Sequence, residues 1–528
     1  MASQNTVHPE DDRVFSIREL MLLMNIPKDF KWVSEDEAYL NKMSMQDKKS
    51  FMKKNEINIR QSIGEAVPTI IMQKISFKIK KVLTENNPND REIKQIIKEF
   101  ELINSTKLQE FVKKNEKCLS LNALSRIAEL ANTALAETAA FYTDTYTLTN
   151  IFNNLPYISK DEIRILEPSV GVGNFIPFVI KKYEYCKKLI IEVCDINENS
   201  LNTFKILLEK MRVPSNVEII FINDDFLLHD FDRKYDLIIG NPPFIKLSNK
   251  LLKTYKIITG DSVAKNSSAF FLEKAYTIAD SVIMILPKYF LHNSDFSICR
   301  ERTSKYAVTK VIDFGEKGFK GVLIETICVF VSTLEKQGTT ECVSITHQFI
   351  NVLKQMKLCD AKYPSWLLYR DEFFDKVSMN MKFDIFTCYR DRQITNKDLK
   401  PSSDIWVIKS RNILRNGSDI VHISGYDSYL SGKDITKFSV SKYYERDDVF
   451  LSPNMTYYPR VVIKPKNTLV NGSVAILELK DGERITDDEL KYYASEEFQK
   501  FYAIARNLST RSLNIDSTSI FYFGRKQA

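Results

Sequence analysis

Histidine is scarce in this chain: 528 residues include only 5, and they do not cluster. Neither a histidine-based metal site nor a histidine general base is therefore expected. The 8 cysteines (118, 186, 194, 299, 328, 342, 359, 388) contain no Cys-x-x-Cys pair, and several stand in apolar runs. Buried free thiols are expected, with no disulfide framework and no zinc site. No apolar run approaches the roughly 18 residues that a membrane span needs, and the polar opening Met1-Ala2-Ser3-Gln4 is not a signal peptide. A cytoplasmic protein without a membrane partner is expected. Charge of one sign is also not in large excess: a net charge of +7 permits a polyanionic partner without demanding one. Glu478-Leu479-Lys480 is half of a metal-nuclease pattern, but no acidic partner precedes it, so cleavage is not expected.

What is present is the composition of an ordinary globular protein, 44% hydrophobic and 27% charged, in a chain long enough for several cores. The organising stretch is Ile238-Ile239-Gly240-Asn241-Pro242-Pro243-Phe244. Its apolar run reads as a buried parallel strand, and two prolines force the chain out of the sheet at Asn241. An amide, a proline-fixed carbonyl and an aromatic ring then stand together at the carboxyl end of a strand, where open α/β sheets bind ligands. Two hydrogen-bond acceptors beside a stacking surface suit a planar base bearing an exocyclic amine. Alone, Asn-Pro-Pro is more often a simple turn.

The strands before it strengthen the functional reading. Ile163 to Leu166 leads into Glu167-Pro168-Ser169-Val170-Gly171-Val172-Gly173-Asn174-Phe175, a glycine-containing turn that opens a helix. Leu189 to Cys194 ends at Asp195, about 20 residues after the glycines, where an acid can accept the hydroxyls of a ribose. Val217 to Ile222 runs into Asp224-Asp225-Phe226, and Tyr235 to Ile239 delivers Asn241. Met284 to Lys288 and Ile324 to Val331 read as further strands of the sheet.

In this order, Phe141-Tyr142-Thr143, Glu-Pro-x-x-Gly-x-Gly-x-Phe, Asp195, Asp225-Phe226 and Asn-Pro-Pro-Phe, the chain resembles DNA adenine-N6 methyltransferases. The resemblance implies S-adenosylmethionine as cofactor, without a metal. Thr143 and Glu167 (with Pro168) would lie near its methionine part, and Gly171 and Gly173 would give backbone access. Asp195 would hold the ribose, Asp225 would accept from the adenine amine of the cofactor, and Phe226 would pack on that ring. Asn241, Pro242, Pro243 and Phe244 would hold a target adenine flipped out of duplex DNA, with Phe319 packing on its other side. The implied chemistry is direct transfer of the sulfonium methyl to N6, with no covalent enzyme intermediate. Alignment supplies ~7 to 11 kcal/mol of the acceleration, and extruding the base costs a few kcal/mol.

Two further regions flank this core. Near the amino terminus, Arg13-Val14-Phe15-Ser16-Ile17-Arg18-Glu19, with Ser16 as a helix N-cap, precedes Arg60-Gln61-Ser62-Ile63-Gly64-Glu65-Ala66-Val67-Pro68. Residues 7–80 resemble the last two blocks of DNA cytosine-C5 methyltransferases, although Glu65 stands where that family has Asn. No cysteine here follows a proline, so the nucleophile of that family is missing. The lobe either completes a truncated cytosine-C5 methyltransferase made as a separate chain or is retained for packing.

Beyond residue 383, short strands alternate with turns, and aromatics interleave with bases: Tyr457, Tyr458, Arg460, Lys464, Lys466, Arg506, Arg511. Tyr458, Arg460, Lys464 and Arg511 are the DNA-binding candidates. Thr456 to Arg460, Asn471-Gly472-Ser473 and Thr510 to Asp516 resemble recognition domains of Type IIS restriction–modification adenine methyltransferases.

The expected architecture is α/β: a Rossmann-like methyltransferase core with a helical amino-terminal region and a mixed, strand-rich recognition domain. Its expected segments are 1–85 (cytosine-enzyme-like lobe), 86–136 (helical linker after the polar turn Asn86-Asn87-Pro88), 137–335 (catalytic domain) and 336–528 (target recognition). Double-stranded DNA and a cognate restriction endonuclease are the expected partners. Rival readings are a methyltransferase for RNA or protein glutamine, which the same Asn-Pro-Pro-aromatic motif serves, and a non-catalytic specificity subunit.

Overall fold

The computed structural model describes residues 13–24, 26–32, 37–65, 71–76, 79, 86–132, 145–259, 265–318, 324–454, 457–510 and 514–527. They form two compact units, Met1–Arg91 with Asn115–Ala123, and Glu92–Lys114 with Leu124–Ala528.

In the first unit, Ser16 caps the helix Ile17–Leu23 as the sequence predicts, in a reciprocal capping box with Glu19. Arg13 pairs with the same Glu19 through two contacts of 2.9 Å. The long helix Met45–Glu65 packs on it: Arg60 donates to the Phe15 carbonyl at 2.7 Å, and Leu20, Met21 and Ile63 form a small buried cluster. The two stretches that resemble a cytosine enzyme are thus in contact up to Glu65; Ala66, Val67 and Pro68 lie outside the described residues.

The second unit is built on a nine-stranded sheet of order β3-β2-β1-β4-β5-β7-β6-β8-β9. The strands are β1 (Glu162–Glu167), β2 (Lys188–Asp195), β3 (Val217–Asn223), β4 (Tyr235–Gly240), β5 (Ala279–Pro287), β6 (Ala307–Gly315), β7 (Thr326–Ser332), β8 (Thr339–Ser344) and β9 (Phe349–Lys354). β1 to β5 are mutually parallel, and β7 runs antiparallel between β5 and β6. The sheet continues through β8 and β9, past residue 335 where the sequence suggests a domain boundary.

The near-continuous apolar character of these strands follows from burial on both faces. Alternate residues divide between two cores. Ile163, Ile165, Leu237 and Ile239 join one with the helix Ile176–Tyr183. Leu166, Ile238, Met284 and Leu286 join the other with the helix Ser267–Ile278. This second core runs on without a break into Phe374, Phe498, Phe501, Tyr522 and Phe523 near the carboxyl end. A separate core, built on residues such as Val407, Leu430, Leu451, Leu469 and Ile476, organises two small sheets of the carboxyl-terminal region.

Strand order reverses between β1 and β4. Chain leaving β1 goes to β2 and β3 on one side, while β4 continues to β5 on the other. Such a switch point opens a crevice at the carboxyl ends of the two strands.

Of the cysteines, 186, 194, 299, 328 and 342 are buried free thiols, as expected, 359 and 388 are half-buried, and 118 is exposed. Burial pushes the Cys194 thiol up to about 12, which leaves it unreactive. No described helix is long and apolar enough to cross a membrane.

Candidate active site

The ends of β1, β2 and β4 lie side by side at this switch point. After β1 the chain turns through Gly171 (φ 54°) and Gly173 (φ 82°) into the helix Ile176–Tyr183. Both glycines occupy the left-handed region, but their surroundings differ. A Cβ on Gly173 would strike the ring of Phe204, whereas one on Gly171 would meet nothing within 4 Å. Gly173 serves packing, and Gly171 leaves open space for a ligand to approach the backbone.

Glu167 ends β1 and is buried, with one carboxylate oxygen that has no hydrogen-bond partner among the described residues. Burial, reinforced by the nearby Asp195 carboxylate, pushes its carboxyl well above the usual range. Asp195 ends β2 and accepts from the amides of Gly171 and Asn197, each at 2.8 Å. Burial raises its carboxyl, and those two amides oppose the rise. A carboxylate fixed by two amides keeps lone pairs for the hydroxyls of a ribose. The buried oxygen of Glu167, the open space at Gly171 and the anchored Asp195 together fit a nucleoside cofactor bearing a cationic group.

β4 delivers the second half of the site. Gly240 lies against Pro168, where an added Cβ would come within 3.0 Å of its Cδ, and Ser169 Oγ donates to the Asn241 carbonyl at 3.2 Å. The glycine turn and the Asn-Pro-Pro turn are therefore one packed unit. Ser267, at the start of the helix Ser267–Ile278, bonds the Pro243 carbonyl through its hydroxyl and accepts from the Ile245 amide at 3.1 Å. No described donor reaches the carbonyl of Pro242. Asn241 is half-buried, and Phe244, 8% exposed, joins the core cluster behind it.

Asp225 follows β3. It accepts from the Leu227 amide at 2.9 Å and from the Tyr255 hydroxyl at 2.8 Å. Phe226 is an interior ring, 4.9 Å from Phe271 and 5.6 Å from Phe231, with Lys274 Nζ 5.2 Å above its face. Thr143 and Phe319 lie outside the described residues, although Thr147 donates to the carbonyl of Gly318, just before Phe319, at 3.3 Å. Ser169, Ser267 and Tyr255 escaped the sequence reading. A serine gives no local signal of a contact 24 or 72 residues away.

The DNA-binding candidates divide. Tyr458 is exposed, and Arg511 lies outside the described residues. Arg460 and Lys464 do not reach the surface. The Lys464 ammonium is enclosed by the carbonyls of Tyr444, Arg446 and Pro465, at 3.2, 3.2 and 2.9 Å, and burial pulls it down to about 8. Arg460 bonds the carbonyls of Tyr458, Ser410 and Ile413. Both are interior struts, because buried carbonyls take up their donors.

Residues 69–319 match the family model of the Eco57I restriction-modification methylase. The Type II methyltransferase M.AccI of Acinetobacter calcoaceticus is 23% identical over 256 residues, which cover 45% of this chain and 45% of that protein. The modification methylase CviBIII of the Paramecium bursaria Chlorella virus NC1A is 29% identical over 151 residues, covering 28% and 35%. The chain thus spans less than half the length of these relatives. The Type IIL restriction-modification enzyme MmeI, solved in complex with DNA, aligns over 83% of this chain and 67% of its own at 10% identity. Its TM-score of 0.43 is too low to equate the two folds.

Proposed function

We propose that this chain, carrying a restriction-modification methylase domain over residues 69–319, is the modification enzyme of a restriction–modification system and methylates N6 of a flipped adenine in duplex DNA. The observation that carries the reading is the contact between the two turns: Pro168-Ser169 and Gly240-Asn241 pack together at the sheet's switch point.

The Asn241 side-chain oxygen and the Pro242 carbonyl are two acceptors on consecutive residues, suited to the two hydrogens of an exocyclic amine. Holding both hydrogens would turn the nitrogen lone pair out of the base plane. S-adenosylmethionine, when bound, supplies an electrophilic methyl on a sulfonium. Asp195 would hold the donor's ribose, Glu167 would balance its cationic group, and Asp225 would accept from its adenine amine. The nitrogen gains the methyl and loses one proton to water after transfer, so no base of ordinary type is required. Because Ser267 already holds the Pro243 carbonyl, the Pro242 carbonyl is the one left to face the substrate.

Tritium transfer from labelled cofactor to duplex DNA, RNA and protein separates this reading from its rivals. We expect label in duplex DNA as N6-methyladenine, and its near-total loss in Asn241→Ala with cofactor binding kept. Label in RNA or protein alone, or undiminished methylation by Asn241→Ala, would overturn the proposal.

A second role belongs to the amino-terminal unit. The two blocks, joined by Arg60 on the Phe15 carbonyl, together with exposed Leu22, Leu23, Ile71 and Met72, suit docking to a truncated cytosine-C5 methyltransferase. An asymmetric site that needs a different mark on each strand would rationalise the fusion. Mixing the purified chain with the products of its neighbouring genes should then yield cytosine methylation.

A further inference from the structure

With Arg460 and Lys464 buried, the carboxyl-terminal region needs another surface for a polyanion, and the exposed Arg411 and Arg415 stand on one element. Residues 412–421 form a β-hairpin: Val421 N bonds the Asn412 carbonyl at 2.8 Å, Leu414 N bonds Asp419 at 3.0 Å, and Ile413 bridges Ile420. The turn is made at Gly417, whose φ of 68° lies in the left-handed region and which leaves no slack for a side chain, with Ala494 and Arg460 3.2 and 3.4 Å from an added Cβ. The hairpin is therefore seated firmly rather than waving in solvent.

At its tip, the exposed Arg415 guanidinium lies 3.4 Å from the ring centroid of Tyr458. At its root, Arg411 and Lys409 lie 5.3 and 3.9 Å from the ring centroid of Tyr426. Among the described residues neither Arg411 nor Arg415 has a carboxylate partner. The acids of this neighbourhood are engaged locally: Asp419, though exposed, accepts from the Ile420 amide at 2.7 Å, and the half-buried Asp427 accepts from Asn412 and faces His422, each at 2.7 Å. Beside the hairpin is an open hollow of about 1050 Å³ lined by Lys400, Lys409, His422 and Tyr426.

Arg460 explains why these groups are aligned. Its guanidinium bonds the carbonyls of Ser410 and Ile413 on the hairpin side and of Tyr458 on the other, at 3.3, 3.0 and 2.9 Å. One buried side chain thus fixes the segment bearing Arg411 and Arg415 against the ring on which Arg415 stacks.

We infer that the hairpin 412–421 is the element that enters a groove of duplex DNA, with Arg415 reaching base edges at the tip and Arg411 meeting phosphate at the root, while Lys409, held by the Tyr426 carbonyl and the Ser428 hydroxyl, braces that root. A two-stranded ribbon is of the width the major groove admits, and an arginine already flattened on an aromatic ring presents its donor edge ready for paired acceptors such as those of guanine. This inference rests on the DNA-methyltransferase reading and names the surface that reading requires.

The test uses the full chain and two labelled duplexes, one carrying the target found by modified-base sequencing in a host expressing the protein and one scrambled. Arg411→Ala is expected to weaken both duplexes several-fold and to reduce the slope of log affinity against log salt by about 1. Arg415→Ala is expected to weaken the target duplex roughly 5- to 100-fold while leaving the scrambled one nearly unchanged, and Arg415→Lys should not restore the difference. Cofactor binding by equilibrium dialysis, unchanged in all three variants, shows that each is folded. If the unaltered chain binds the target and the variants bind it equally well, the hairpin assignment falls. If the unaltered chain binds cofactor but no duplex, the DNA reading falls with it.

Discussion

The Ser169 hydroxyl donates to the backbone carbonyl of Asn241 across 3.2 Å, joining the turn after β1 to the turn after β4 over a separation of 72 residues. No other side-chain hydrogen bond described above joins these two turns directly. Deleting it should loosen the register between them. A neutral bond of this kind contributes about 1 kcal/mol. Ser169→Ala is therefore expected to slow single-turnover methyl transfer about fivefold while leaving cofactor affinity nearly unchanged. A fall in cofactor affinity with no fall in the transfer rate would contradict this coupling role.

Two glycines of one turn should respond differently to the same substitution. Gly173→Ala places a methyl group in the ring of the buried Phe204 at a left-handed φ, which forces repacking and is expected to cost about 3 kcal/mol or more. Gly171→Ala meets only the backbone preference, about 1 kcal/mol. Urea unfolding should show the first variant severely destabilised and the second close to the parent. Calorimetry should show the second, though folded, binding S-adenosylmethionine more weakly, because its methyl enters the ligand's space.

Proton linkage follows from Glu167. Its carboxyl in the folded chain lies well above the ordinary value of 4.5, so the folded form keeps a proton that the unfolded form loses as pH rises past that value. Over that range the group makes the ligand-free fold less stable as pH increases. A cationic ligand beside the group reverses the preference and expels the proton. Binding of S-adenosylmethionine should then release protons and strengthen with rising pH, measured by titration calorimetry in buffers of different ionisation enthalpy. Glu167→Gln should abolish the release, and an unaltered release in that variant would place the proton elsewhere.

How much of this was legible in the sequence depends on the range of the interactions involved. β1, β2, β3 and β4 and the residues at their ends were readable, because strands buried on both faces are written as apolar runs and the exit at Asn241 is written as two prolines. The Ser16 cap was readable for the same local reason. Arg460 and Lys464 were misplaced because a basic residue among aromatics reads alike whether water or a ring of carbonyls surrounds it. Only the fold brings Tyr444, Arg446 and Pro465 around one ammonium. The hairpin at Gly417 carries a turn signal, Asn416-Gly417, yet its significance comes from Tyr458, some 40 positions later.

The core that links the sheet to Phe498, Phe501, Tyr522 and Phe523 bears on engineering. Asn507 bonds the Leu368 amide and the Trp366 carbonyl, each at 2.8 Å, and the Thr510 amide bonds the buried Glu325 at the head of β7 at 3.0 Å. Phe498, Phe501, Asn507, Thr510, Tyr522 and Phe523 are thus packed into the scaffold of the large sheet, although they follow the strand Val474–Leu479 in the chain. Splicing in a relative's specificity by swapping everything after the sheet would strip that scaffold. A viable chimera would exchange only the interval between the strand Phe386–Arg390 and the strand Val474–Leu479, which pair with each other and so bring both junctions to one place.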